Sequence, residues 1–174
     1  MKMTRFVSSP LGDLLLVGDG EKIHGIYFEE HRNSPRLDGA VENPEAFEYA
    51  VRQLGEWFAG ERTTFDLDFV LEGTDFQRRV WAALTEIPFG QTVSYKFIAE
   101  AAGMPGGARA AGHAIGRNPM SIVVPCHRVV GANGKLTGYA GGMDRKRALL
   151  DHERGIRPFP AGTSLAETAG AGLS

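Results

Sequence analysis

The chain has 174 residues, a mass of 18.8 kDa and a formal net charge of −2, with 43% hydrophobic and 23% charged residues, enough for one medium domain or two small ones packed together. No charged stretch followed by a long apolar run opens the sequence, and no run reaches the roughly 20 apolar residues that span a bilayer, so neither secretion nor a membrane is expected. The single cysteine permits no internal disulfide, and the five histidines show no metal-ligand spacing with it, so the expected setting is a reducing cytoplasm and no structural metal is expected.

The charges are unevenly spread. Residues 1–73 hold 7 Lys and Arg against 14 Asp and Glu, a balance of −7, whereas residues 74–160 hold 12 against 6, a balance of +6. Such an asymmetry is what polyanion binding requires, and ordinary surface scatter is the plainer alternative.

Met3–Val7, Leu14–Val17 and Ile23–Phe28 are β-favourable runs separated by Ser9-Pro10-Leu11-Gly12 and Gly18-Asp19-Gly20, which predicts a small antiparallel meander. Glu30 to Glu42 is polar, contains Pro35 and Gly39, and is expected to be a loop. Asn43-Pro44 predicts a helix start, and Phe47, Val51, Leu54, Trp57 and Phe58 recur at helical spacing up to Gly60. Phe65, Leu67 and Phe69 alternate with Asp66 and Asp68, the pattern of a strand with one buried face. These elements predict an α+β unit over residues 1–72. Its carboxylates fall on faces expected to be exposed, and no catalytic constellation is evident there.

Thr74 and Gln77 have capping-box spacing, followed by Phe76, Val80, Leu84 and Ile87 on one helical face. Ser94 begins a second helix that Gly103 closes, and a third covers roughly Ala108 to Gly116. Paired short helices across a glycine-containing turn suggest a helix-turn-helix, although such pairs are often only packing units. In the third helix, Ala108, Ala110, Ala111 and Gly112 are small and Arg109 is long and charged. That composition suits close approach to a narrow minor groove, and it equally suits close helix packing with Arg109 in water. Asn133-Gly134 marks a turn, Gly138–Gly142 a glycine-rich loop around Tyr139, and Asp144–Arg154 a last helix. Ala161–Ser174 is small and polar with one charge, and is expected to be disordered.

The only cysteine lies in the apolar run Ser121–Val130, next to His127 and Arg128. Only a thiolate is a strong nucleophile, so a reactive cysteine needs a base and local positive charge, and both residue types are adjacent. Neighbouring side chains on a strand point to opposite faces, so His127 meets Cys126 only across a turn or a bridging water, and Pro125 makes a break plausible. A free cysteine also packs well as a small buried hydrophobe.

Pro125-Cys126-His127-Arg128-Val129, preceded by Arg109 and Asn118-Pro119 and followed by Gly138-Tyr139-Ala140-Gly141-Gly142 and Glu153, closely resembles the O6-alkylguanine-DNA alkyltransferase (methylated-DNA-protein-cysteine methyltransferase) family. The resemblance runs from about Met1 to Gly155. It implies an α+β fold in which a small N-terminal antiparallel sheet with a helix packs on a mostly helical C-terminal unit, residues 73–160, carrying the helix-turn-helix. It also implies direct reversal of DNA damage: stoichiometric, irreversible transfer of an alkyl group from O6-alkylguanine, and from O4-alkylthymine, to Cys126. Duplex DNA would be bound through the minor groove and the damaged nucleotide extruded.

The same resemblance assigns His127 as a base acting through water, Glu153 as the group that orients it, Tyr95 as proton donor to the departing guanine, and Asn118 as a brace. DNA contacts are assigned to Ala108, Arg109, Ala110, Gly112 and Tyr95, with Arg109 as the finger that fills the vacated space. The alkylguanine pocket is assigned to Val129, Tyr139, Ala140 and Gly141. Ala140 stands where some members carry serine, which removes one side-chain contact to the guanine oxygen. No cofactor or metal is implied, and the expected partner is duplex DNA containing O6-alkylguanine, bound by a monomer with cooperative binding along DNA left open. Two rival readings remain, a non-catalytic DNA-binding module and a cysteine hydrolase. Against the hydrolase stands the lack of an evident oxyanion-hole motif.

Overall fold

A computed structural model describes residues 1–31, 34–160 and 165–167. Three N-terminal strands, β1 (Met3–Ser9), β2 (Gly12–Gly18) and β3 (Ile23–Phe28), form the expected antiparallel meander. Its register pairs Val7 with Leu14 and Leu16 with Ile26. Because side chains alternate across a strand, Val7, Leu14, Leu16, Ile26 and Phe28 share the face that enters the main core, while Phe6, Leu15 and Val17 form a small cluster on the other.

The outer edge of β1 is covered by two short strands. β4 (Val41–Glu42) pairs with it in parallel, so the polar stretch expected as a loop ends in a strand. The final strand, at Ala166–Glu167, pairs antiparallel with Val7 and Ser8 of β1. The expectation of a disordered tail therefore does not extend to these two residues, and most of that expectation lies outside the described residues.

Helix α1 (Glu48–Phe58) begins later than Asn43-Pro44 suggests. Asn43 accepts from the backbone of Glu45 and Ala46 in a tight turn, and Phe47 adopts a left-handed φ of 58° while its ring packs into the core. The helix cannot propagate back through that residue. The segment Phe65–Phe69 is also not a regular strand. The side-chain amide of Gln53 takes both backbone hydrogen bonds of Asp66, at 2.9 Å each, and one bridge joins Phe69 to Ile23.

The second half is mainly helical. Helix α2 (Asp75–Thr85) carries the complete capping box of Thr74 and Gln77. A two-residue strand, β5 (Val93–Ser94), leads into α3 (Tyr95–Ala101), which Ser94 caps, and a glycine-containing turn leads to α4 (Ala108–Gly116). α2, α3 and α4 pack together, fixed by Trp81 Nε1 donating to Ala114 O at 2.9 Å and Arg79 Nε to Ala102 O at 2.9 Å. β6 (Val129–Val130), parallel to β5, and helix α5 (Met143–Glu153) complete this half. This is the expected α+β architecture, with the helix-turn-helix formed by α3 and α4.

Both halves contribute to one continuous core, in which Trp57 and Phe58 of α1 are buried together with Leu84, Ile98, Met120 and Leu149. Among the described residues, no helix is long and apolar enough to cross a membrane, and no cluster of three or more His, Cys, Asp or Glu is placed to hold a metal ion.

Candidate active site

After α4 the chain must reverse to reach Cys126, and one buried side chain organises that reversal. Asn118 donates Nδ2 to Val124 O at 2.9 Å and accepts from Met120 N at 3.0 Å, so its amide replaces the backbone bonds that regular structure would supply. Ile122 adopts a φ of 71° within this bend. Strand β3 anchors the bend from outside: Ile26 N donates to Pro119 O at 2.8 Å, and Ser121 N donates to Ile26 O at 3.0 Å.

Past Pro125, Cys126–Arg128 form a single 3₁₀ turn. With three residues per turn, consecutive side chains point about 120° apart. The break expected at Pro125 is therefore present, and it sends Cys126 one way while His127 and Arg128 turn towards Glu153.

Glu153, at the end of α5, is fully buried at its side chain, as is His127. His127 Nε2 lies 2.8 Å from Glu153 Oε2. Arg128 Nε donates to both carboxylate oxygens at 2.9 and 3.1 Å, its Nη2 donates to Oε2 at 2.6 Å, and its Nη1 donates to Ile87 O at 2.6 Å. Burial pushes the Glu153 carboxyl up, but the hydrogen bonds and charges of His127 and Arg128 outweigh it and hold the group down at about 2. Burial depresses His127 below its ordinary 6.5 despite Glu153, so its imidazole is neutral at pH 7. An ionised Glu153 accepts only, so the proton of that neutral ring resides on Nε2 and the lone pair on Nδ1. Nδ1 is buried and has no hydrogen-bond partner among the described residues.

Cys126 is 6% exposed and lines a cavity of about 170 Å³ with Tyr95, Gly112, Tyr139 and Ala140. Burial raises the thiol pKa, while Asn118, the charge of Lys146 and the Tyr139 hydroxyl each pull it back. The Tyr139 phenol, also buried, is held well above its ordinary value, first by desolvation and then by the facing thiol. Tyr95 shares a 2.5 Å hydrogen bond with the Thr137 hydroxyl. Gly112 places α4 beside Tyr95, where a Cβ would meet the ring at 3.4 Å, an ordinary van der Waals contact.

The other residues singled out in the sequence are placed differently. Val129 and Gly141 do not line this cavity. The Val129 carbonyl accepts from Lys146 Nζ at 2.6 Å, and Gly141 lines a separate cavity of about 760 Å³ towards the N-terminal sheet. Arg109 and Ala110 are exposed on α4, with Ala108 half-buried beside them, and Arg109 borders an apolar groove with Phe76 and His113 rather than the Cys126 cavity.

Arg128, adjacent to the thiol in sequence, binds Glu153 instead. The cation that acts on Cys126 is Lys146, 1% exposed, whose ammonium also binds Thr137 O at 3.0 Å and is lowered by burial to about 8. A signal for it existed. Lys146 and Glu153 are seven residues apart on α5, two turns of one helix, and so share a face.

Because Glu153 binds its proton more weakly when folded than when unfolded, its stabilisation is fully present above pH 4.5 and is lost as pH falls towards 2. Glu153→Gln is expected to lower unfolding free energy at pH 7 by about 3 kcal/mol, through loss of the ionised group and an unpaired Arg128. It should also flatten the acid limb of stability, as measured by denaturant unfolding from pH 7 to 3.

Two family models match the chain: the DNA-binding domain of 6-O-methylguanine DNA methyltransferase over residues 75–155, and the ribonuclease-like domain of the same enzyme over residues 3–71. A methylated-DNA–protein-cysteine methyltransferase of Mycolicibacterium paratuberculosis is 53% identical over 161 residues, covering 92% of this chain and 96% of that protein. One from Methanosarcina acetivorans is 51% identical over 146 residues, covering 83% and 94%. The structure is similar to that of Mycobacterium tuberculosis OGT solved in complex with DNA, with a TM-score of 0.86 and 50% identity over 90% of this chain and 95% of that one. Matched in both halves, and across nearly the whole length of relatives half identical to it, the chain belongs to the 6-O-methylguanine DNA methyltransferase family.

Proposed function

We propose that this protein repairs DNA by direct reversal, moving the alkyl group of O6-alkylguanine in duplex DNA onto Cys126. The observation that carries the proposal is the arrangement around one sulfur. Cys126 opens on a small cavity, and the neighbouring imidazole is oriented from behind by a buried carboxylate.

The thiol begins protonated, because burial raises its pKa. Nδ1 of His127 takes that proton through a water, and Glu153 stabilises the imidazolium formed. Lys146 and the Tyr139 hydroxyl offset the charge arising on sulfur. The thiolate attacks the alkyl carbon in line, an S–C bond forms as the C–O6 bond breaks, and the electron pair leaves on guanine. Tyr95 delivers a proton to the departing base. The donor is the DNA itself, so the bonds balance without a cofactor. The product is a thioether, which lacks the hydrolytic exit of a thioester, so each chain acts once.

The O6 atom lies at the pairing edge of guanine, and a sulfur inside a cavity reaches it only after the nucleotide leaves the stack. The small, exposed face of α4 suits minor-groove docking, with Arg109 entering the space left behind. Residues 73–160 would carry DNA binding and chemistry, and residues 1–72 would support them. All of the reacting groups lie on one chain, so a cytoplasmic monomer suffices, and O4-alkylthymine presents the same chemistry.

Incubation with duplex carrying labelled O6-methylguanine is expected to place one label per chain on Cys126, with none in Cys126→Ala. Many turnovers per chain, or label elsewhere, would overturn the proposal, and hydrolysis of simple esters would favour a hydrolase. For Arg109→Ala, repair of duplex is expected to fall about tenfold while reaction with free O6-benzylguanine changes less than about twofold. Equal losses would remove Arg109 from base extrusion.

A further inference from the structure

The loop Gly138–Gly142 supplies Tyr139 and Ala140 to the wall of the Cys126 cavity, yet it belongs to no helix or sheet, and its one internal backbone bond is Gly142 N to Tyr139 O at 2.9 Å. On its other side lies the cavity of about 760 Å³, bordered by Pro10, Leu11 and Glu30 of the N-terminal half. The loop thus stands between two spaces, and something must hold it against the smaller one.

A single side chain does so. Arg145, in the first turn of α5, gathers three backbone carbonyls from three separate segments. Nε donates to Leu11 O at 2.9 Å in the β1–β2 turn, and Nη1 donates both to Glu29 O at 2.8 Å just beyond β3 and to Gly141 O at 3.0 Å in the loop. Its guanidinium lies over the Phe28 ring, 5.1 Å from the centroid, and the Glu29 carboxylate approaches Nη2 at 3.5 Å. The packing around it is tight. A Cβ at Gly141 would lie 3.0 Å from Phe28 Cδ2, and one at Gly12 would press on Glu29 and Arg145. Three carbonyl oxygens converge without competing for the same proton because a planar cation with five donors lies among them.

We propose that Arg145 is a positioning and specificity residue, which ties the pocket-wall loop to the N-terminal sheet and so sets the width of the alkylguanine pocket. The proposal rests on the alkyl-transfer reading above. It gives the N-terminal half a part in the reaction, because Leu11, Phe28 and Glu29 form the fixed side of the tie. With Arg145 removed, the loop relaxes into the larger space behind it, Tyr139 and Ala140 retreat from Cys126, and a small alkyl group is held less firmly while a bulky one gains room.

The test compares second-order transfer rates from duplexes carrying O6-methylguanine and O6-benzylguanine, with thermal unfolding recorded alongside. Arg145→Ala is expected to raise the benzyl-to-methyl rate ratio about fivefold over the unmodified protein, with Arg145→Lys between the two. A defect that merely destabilised the fold would slow both substrates alike and leave the ratio unchanged. An unchanged ratio in folded Arg145→Ala overturns the proposal, and if that variant does not fold, an unchanged ratio in Arg145→Lys does so. Failure of the unmodified protein to accept either alkyl group would instead sink the alkyl-transfer reading itself.

Discussion

A carboxylate with no access to water governs this structure. Taking Glu153 out of solvent costs several kcal/mol unless its lone pairs are met. They are met by the fork of Arg128, by Nε2 of His127 and, at a longer 3.4 Å, by the backbone amide of Gly90. These bonds lock the end of α5 to the 3₁₀ turn, and the remaining Arg128 bond to Ile87 O extends the lock to the end of α2. Arg128 also lies 5.7 Å from the centre of the Phe89 ring. The turn bearing Cys126 is therefore fixed from three directions, and removing either Arg128 or Glu153 leaves the other charge buried and unpaired.

The same geometry reconciles two demands on the thiol. A low pKa provides more thiolate but a weaker nucleophile, and an accessible thiolate invites oxidation. Here burial prevails and keeps the sulfur protonated, while Asn118, the Lys146 ammonium and the Tyr139 hydroxyl favour the anion; in the proposed reaction they and the neutral imidazole stabilise it as it forms. In the proposed reaction, charge separation is deferred until an alkyl carbon is present. The aromatic cluster behind His127 supports this arrangement, with Trp57 edge-on at 6.5 Å from the imidazole and His152 bound to the Trp57 carbonyl at 3.1 Å.

Much of this was legible in the sequence where local chemistry decides the outcome. The capping box at Thr74 and Gln77, the alternation in β1 to β3, and the proline break before Cys126 are short-range signals, and each is found in place. The buried set of Asn118, His127 and Glu153 around the Cys126 turn was legible through the family resemblance of Pro125–Val129. What was hidden depends on distant partners. Phe65–Phe69 has a strand's alternation, but Gln53 takes its backbone bonds. The Asn43-Pro44 signal lost to a left-handed Phe47 whose ring is needed in the core. Arg128 reads as a cation for its neighbour Cys126, and only the fold reveals that Glu153, 25 residues on, claims it. Arg145 contacts Leu11 from 134 residues away, beyond the reach of any local pattern.

The proposed relay turns on which nitrogen of His127 carries the proton, since only Nε2–H leaves Nδ1 free to accept from the thiol side. Long-range proton–nitrogen correlation NMR of the ¹⁵N-labelled protein at pH 7, with the ring assigned by comparison with His127→Gln, reads this directly. A protonated Nε2 beside an unprotonated Nδ1 is the predicted result. A proton on Nδ1, whether in the opposite tautomer or in a resting imidazolium, would contradict the account.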